Sequence, residues 1–206
     1  MPKRFTTQMY LYMLPLSASP AEAVGAPKRQ AIIPSPTPDG GIEHTAATFD
    51  SVSAWLAKAR SGAIILFPPQ LYLMTLLAEF LPDTKSPPSV VDFAAQRAAV
   101  LVFLATTPAG RGTHPTARIA WADKVMSPTQ AFFRRADKRS VLGLERPGPE
   151  LEGSGRGGDW ERVVLARFTR QGPRDVEVRW RDEVFSEERE AERREEEEEG
   201  RVTGKL

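Results

Sequence analysis

Leu66-Phe67-Pro68-Pro69-Gln70-Leu71-Tyr72-Leu73-Met74-Thr75-Leu76-Leu77-Ala78-Glu79-Phe80-Leu81 carries the strongest structural signal in the chain. Residues 63–67 are a short apolar run, a strand or an extended piece, and the paired prolines stop it because proline has no N–H to give to a ladder. The same prolines suit the start of a helix, whose first turn needs their preset φ and can spare their N–H groups. From Gln70 to Leu81 the residues Leu71, Leu73, Met74, Leu76, Leu77, Phe80 and Leu81 are apolar over more than half the helix circumference. That distribution predicts a buried helix at the centre of the core.

Upstream, Val52, Trp55, Leu56 and Ala59 line one face of a second helix, which Asp50 or Ser51 can cap and Gly62 ends. Residues 42–49 and 5–14 read as strands. In the latter, Phe5, Thr7, Met9, Leu11 and Met13 alternate with Thr6, Gln8, Tyr10 and Tyr12. This alternation is favoured over the secretory signal that Lys3 and Arg4 imitate, since Gln8, Tyr10, Tyr12 and Pro15 interrupt the would-be apolar core. Residues 17–41 hold five prolines and end in Asp39-Gly40-Gly41, a loop and a turn.

Downstream, residues 82–89 are a loop. Residues 90–104 repeat Phe93, Ala94, Ala98, Leu101 and Leu104 at helical spacing. Past the Gly- and Pro-rich residues 108–115 the period changes: 117–125, 141–145, 162–168 and 175–180 are short β-like runs separated by turns, and they predict an antiparallel meander. The expected class is α+β. Its stretches are 1–81, a loop and helix over 82–115, an antiparallel β region over 116–185, and an acidic tail over 186–206.

That tail holds nine Glu against five Arg or Lys, so the formal net charge of +1 divides into −4 there and +5 over residues 1–185. With no apolar face it is expected to be a solvated helix or disordered, and its deletion to leave the melting temperature nearly unchanged. A mildly basic body suits a phosphate-bearing small molecule but lacks the clustered Lys and Arg of a nucleic-acid reader, so no nucleic acid is expected. Cysteine is absent, which excludes disulfides and thiolate sites. The longest apolar run, 98–105, is far shorter than the roughly 20 residues that span a bilayer, so no membrane partner is expected either.

Three segments resemble the peroxisomal coenzyme A diphosphatase branch of the Nudix hydrolase superfamily. They are Pro2-Lys3-Arg4-Phe5-Thr6-Thr7-Gln8-Met9-Tyr10-Leu11-Tyr12; Glu43-His44-Thr45-Ala46 through Trp55-Leu56 to Pro68-Pro69-Gln70-Leu71-Tyr72; and Val141-Leu142-Gly143-Leu144 with Pro147-Gly148-Pro149-Glu150, running on to Val176-Glu177-Val178-Arg179-Trp180. The resemblance implies part of a Nudix α/β/α sandwich in residues 1–81, with additional C-terminal antiparallel strands. It also implies a parent activity: metal-dependent hydrolysis of the diphosphate in coenzyme A or its acyl derivatives, with Mg²⁺ or Mn²⁺ as cofactor.

The Nudix box, Gly-x5-Glu-x7-Arg-Glu-x-x-Glu-Glu-x-Gly, is missing. Its carboxylates would hold the metal against the diphosphate. Arg193, Glu197, Glu198 and Gly200 imitate its end, but that register puts Arg179, Phe185 and Arg194 where Gly, Glu and Glu belong. No metal, cofactor or catalytic residue is therefore expected in this chain. The chain is expected to be the C-terminal part of such a hydrolase, inactive and poorly folded alone, or a non-catalytic ligand-binding or interaction module derived from the fold. A coenzyme A-type nucleotide is the partner implied.

Candidate substrate-adjacent residues are Glu43, His44, Pro69 and Gln70. Glu43 and His44 lie on a strand and could supply a base or a metal ligand, although strand alternation sends one of them to solvent. Pro69 and Gln70 open a helix whose free N–H groups could face a phosphate, against the plainer reading of a rigid helix start. Arg111 to Arg118 and Arg134 to Arg139 are basic clusters able to take the 3′-phosphate of coenzyme A. His114, alone among Gly and Pro, reads as solvent-exposed. Gly204-Lys205-Leu206 resembles the Ser-Lys-Leu peroxisomal address, so the expected location is peroxisomal or cytoplasmic.

Overall fold

A computed structural model of the chain describes residues 11–13, 48–83, 89–108 and 113–203. The expected strands over 5–14 and 42–49 lie outside these residues except at 11–13 and 48–49, which carry no regular structure. Helix α1 (Val52–Arg60) starts where the Ser51 side chain accepts the Ala54 N–H at 3.1 Å. It ends at Gly62, whose φ of +76° is the left-handed conformation expected there. Residues 63–67 pair with no strand of the described residues, and Phe67 is extended, with φ −69° and ψ 153°. Helix α2 (Pro68–Ala78) follows, burying Pro68, Leu71, Tyr72 and Leu76.

Helix α3 (Val90–Ala105) is closed at its start by a reciprocal cap, in which Ser89 Oγ accepts the Asp92 N–H and Asp92 accepts the Ser89 N–H. The face expected to be buried is not: Phe93 is 41% and Leu101 57% exposed, whereas Val100 is buried. Among the described residues, its ring contacts lie at the C-terminal end. There Phe103 meets the Phe80 and Trp121 rings, each at 4.9 Å between centroids.

The meander is present. Strands β1 (Thr129–Phe133), β2 (Ser140–Leu144), β3 (Asp159–Thr169) and β4 (Gly172–Trp180) form one antiparallel sheet in the order β1-β2-β3-β4. Residues 117–125, expected as a strand, instead belong to a stretch with two 3₁₀ turns, Pro115–Arg118 and Trp121–Asp123. Pro115 presets the φ of the first, and the His114 side chain caps it by accepting the Thr116 N–H.

Strand alternation sends Leu142, Leu144 and Val164 to one face of the sheet, where they form a core with Tyr72 and Leu76 of α2. Val141, Val163 and Leu165 take the other face, under Val184 and Phe185 of helix α4 (Arg181–Thr203). Among the described residues, the core therefore lies in a helix–sheet–helix arrangement, an α+β architecture. Residues from the 1–81 and 116–185 stretches share it.

The tail is a helix, and its first half is held. Arg134 pairs with Glu187 at 2.6 Å, and Arg135 pairs with Glu188, Glu192 and Glu195 at 3.1, 2.8 and 2.8 Å. Arg179 adds a contact to Glu187 at 2.8 Å. The basic cluster at 134–139 is thus engaged with the protein's own acids: Arg139 also binds Asp137 and Glu177.

Pairs of the kind that Arg134 and Arg179 make with Glu187 contribute roughly 0.2–1 kcal/mol each. Ending the chain at Phe185 should accordingly lower the melting temperature by about 2–8 °C at low salt. The gap should shrink in about 1 M NaCl, where the Debye length is near 3 Å. This replaces the expectation of no change; an unchanged low-salt melt would show that the pairs hold nothing.

Candidate functional site

The chain between β2 and β3 builds one wall of a cleft of about 530 Å³, and the turn at Pro115 builds another. The β2–β3 connection leaves Leu144, makes a 3₁₀ turn at Pro149–Leu151, passes Gly153 and Gly155 at φ +77° and +75°, and returns through Gly157 and Gly158. The return is tight. A Cβ on Gly157 would lie 2.8 Å from the Glu145 carbonyl oxygen and 2.7 Å from Thr116 Cγ2, and one on Gly158 would overlap the Leu144 carbonyl oxygen. Only glycine lets the two backbones approach so closely, and the Gly158 N–H donates to Glu145 O at 3.0 Å.

Trp160 stands in the cleft with the His114 ring parallel to it, 4.2 Å between centroids and 4° between planes. Arg181, the first residue of α4, fastens this wall. Its Nε donates to Trp160 O at 2.7 Å, its Nη2 donates to Glu145 Oε2, and its guanidinium carbon lies 3.9 Å from the Trp160 ring centroid. Lys124 Nζ donates to Thr116 O and Gly158 O, both at 2.9 Å, so one ammonium ties the turn at Pro115 to the β2–β3 return. Burial lowers the Lys124 pKa, while the charges of Asp159 and Glu161 act to raise it.

Beneath lies a buried polar cluster that joins α2 to β3. Tyr72 Oη donates to Asp159 Oδ2 at 2.7 Å, Arg162 Nη1 donates to the same oxygen at 3.3 Å, and Asp159 Oδ1 accepts the Glu161 N–H at 2.8 Å. Burial, reinforced by the Asp159 charge, pushes the Tyr72 pKa well above its usual 10.0.

His114 is half-buried, contrary to the exposed position expected from its Gly- and Pro-rich surroundings. Its Nδ1 accepts the Thr116 N–H at 3.3 Å and lies 2.8 Å from Thr116 Oγ1, which places the proton of the neutral ring on Nε2. Burial lowers its pKa, the Glu145 charge raises it, and Arg181 and Lys124 lower it further. Because the folded value is depressed, the unfolded chain binds more protons. The stabilising contribution is therefore complete above the ordinary value of about 6.5 and is lost as pH falls through the folded pKa. In an NMR titration, with His114→Gln used to assign the resonance, the ring should show a midpoint below 6.5. A midpoint at or above it would contradict the neutral stacked ring.

Glu43 and His44 lie outside the described residues, as does Arg111. Pro69 and Gln70 sit in the first turn of α2, where Gln70 Oε1 accepts the Phe67 N–H at 3.0 Å, and neither lines the cleft. The charged groups that do line it are Arg146, Arg156, Glu145 and Glu152, with Glu145 paired to Arg181. None of these was singled out from sequence. Among the described residues no three His, Cys, Asp or Glu side chains come together as a group of metal ligands. Nor, among them, is any helix long and apolar enough to cross a membrane.

No family model, curated protein or solved structure matches this chain.

Proposed function

We propose that the chain is a Nudix-derived part that binds a coenzyme A-type nucleotide without hydrolysing it. The observation that supports this reading most is the cleft at His114 and Trp160. Its volume of about 530 Å³ is in the range of small-molecule sites, and its ring and proline surfaces lie next to the guanidiniums of Arg146 and Arg156. Such a site can pack a flat base and meet anionic oxygens. The Nudix resemblance supplies the nucleotide class, and the missing box supplies the lack of hydrolysis.

Incubation of the chain with coenzyme A and Mg²⁺ or Mn²⁺ should release no 3′,5′-ADP above a blank. Metal-dependent release that is lost on chelation would refute the proposal.

A second reading is favoured by helix α3, whose Val91, Leu101 and Val102 are 76%, 57% and 64% exposed. On that reading the chain is the C-terminal part of a coenzyme A diphosphatase and needs the box-bearing part to complete its core. Binding of an apolar dye by the folded chain would favour it, and a sharp melt without dye binding would favour the self-sufficient module.

A further inference from the structure

We propose that the loop over residues 152–156 is a phosphate-monoester subsite, formed by the N–H groups of Gly153 and Gly155 together with the guanidiniums of Arg146 and Arg156. This rests on the reading of the cleft as a nucleotide site and says which end of the ligand goes where. Four hydrogen bonds define the loop. Glu152 N–H donates to Pro149 O at 3.3 Å, Ser154 N–H to Leu151 O at 3.1 Å, Ser154 Oγ to Leu151 O at 2.6 Å, and Arg156 N–H to Ser154 Oγ at 3.3 Å. No backbone carbonyl of the described residues takes the N–H of Gly153 or Gly155.

Both glycines have left-handed φ, +77° and +75°, on either side of Ser154. Turns of this kind make anion-binding concavities. A Cβ would meet nothing within 4 Å at either glycine, so the loop faces open space.

The charges at this edge favour a dianion. Glu145 is paired with Arg181, and among the described residues that line the cleft the other charged groups are Arg146, Arg156 and Glu152. Arg146 and Arg156 are exposed, and Arg156 is steadied by its Nη2 donating to Asp123 O at 3.2 Å. The arginines of the 134–139 cluster, Arg134, Arg135 and Arg139, are paired with acids of β4, of α4 and of their own turn. A monoester phosphate at this edge would leave the rest of a nucleotide to extend toward Trp160 and His114.

The test is an amide-resolved NMR titration of the whole chain with inorganic phosphate, 3′,5′-ADP and coenzyme A at fixed ionic strength. Gly153 and Gly155 should be among the amides that move most with all three. Replacing both Arg146 and Arg156 by Ala should weaken 3′,5′-ADP binding roughly tenfold or more, as expected for lost hydrogen bonds to a charged group. Both arginines are exposed, so the variant should keep its melt.

If 3′,5′-ADP binds without moving these glycines, or binds the double variant unchanged, the subsite is wrong. If coenzyme A binds both proteins equally, the subsite fails while the nucleotide reading survives. If phosphate and 3′,5′-ADP move the glycines but coenzyme A does not bind, the subsite stands and the coenzyme A reading fails.

Discussion

Tyr72→Ala should destabilise the protein by on the order of 4 kcal/mol, and Tyr72→Phe by about 1–3 kcal/mol, both measured by urea denaturation. Tyr72 has 0% exposure and packs in the core that joins α2 to Leu142, Leu144 and Val164. Truncation to Ala therefore leaves a ring-sized cavity. It also removes the hydroxyl that donates to Asp159, a carboxyl only 1% exposed. The Phe variant keeps the ring and loses only the hydrogen bond, so the difference between the two variants separates packing from charge satisfaction. Domains are stable by roughly 5–15 kcal/mol, so the Ala variant should be close to unfolding. A loss below about 1 kcal/mol in Tyr72→Ala would mean that α2 does not rest on the sheet through this residue.

Gly158→Ala should cost on the order of 3 kcal/mol. The new methyl would overlap the Leu144 carbonyl oxygen and lie 2.6 Å from Met126 Cβ. Relief requires β2 and the start of β3 to part, which breaks the 3.0 Å bond from Gly158 N–H to Glu145 O. Gly200→Ala is the control: it lies in α4 with nothing within 4 Å, and a helical Ala there should be neutral or stabilising by up to about 1 kcal/mol. Urea curves of the two variants should therefore move in opposite directions or differ by several kcal/mol. Equal midpoints would show that the β2–β3 return is not tight.

Periodicity marked α2 as helical and buried, because the Pro-Pro-led run to Leu81 holds seven such apolar residues, five of which lie in α2, which ends at Ala78. It did not mark Tyr72 as the innermost of them. A helix apolar on most sides does not say which side meets the sheet, and Leu73, Met74 and Leu77 are only partly buried. Strands β2, β3 and β4 were readable as short β-like runs separated by Gly and Pro turns, whereas β1 was not. Thr129, Gln130, Ala131 and Phe133 are exposed at the edge of the sheet, so nothing forced them into an apolar pattern. The docking of α4 was hidden for another reason. Its anchors, Arg134 and Arg135, lie over fifty residues from their acidic partners, at separations of 53 for Glu187 and Glu188.

The cleft was the least legible feature. Its walls come from residues 114–119 and 145–160, and only the glycine density of Gly153-Ser154-Gly155-Arg156-Gly157-Gly158 hints that backbones approach there. The resemblance directed attention to Pro69 and Gln70, whose visible work is to start a helix. Arg146 and Arg156 belong to no basic run, and their position beside Trp160 arises from the tight return of the chain.

Calorimetric titration of coenzyme A into the whole chain with Mg²⁺ present, followed by chromatography of the mixture, tests nucleotide binding without hydrolysis most directly. Saturable one-to-one binding is predicted, weakened in Trp160→Ala while its melt stays cooperative, with the coenzyme A recovered intact. No saturable heat up to about 1 mM ligand, which corresponds to less than about 4 kcal/mol of binding, would contradict the account. So would recovery of the nucleotide as 3′,5′-ADP.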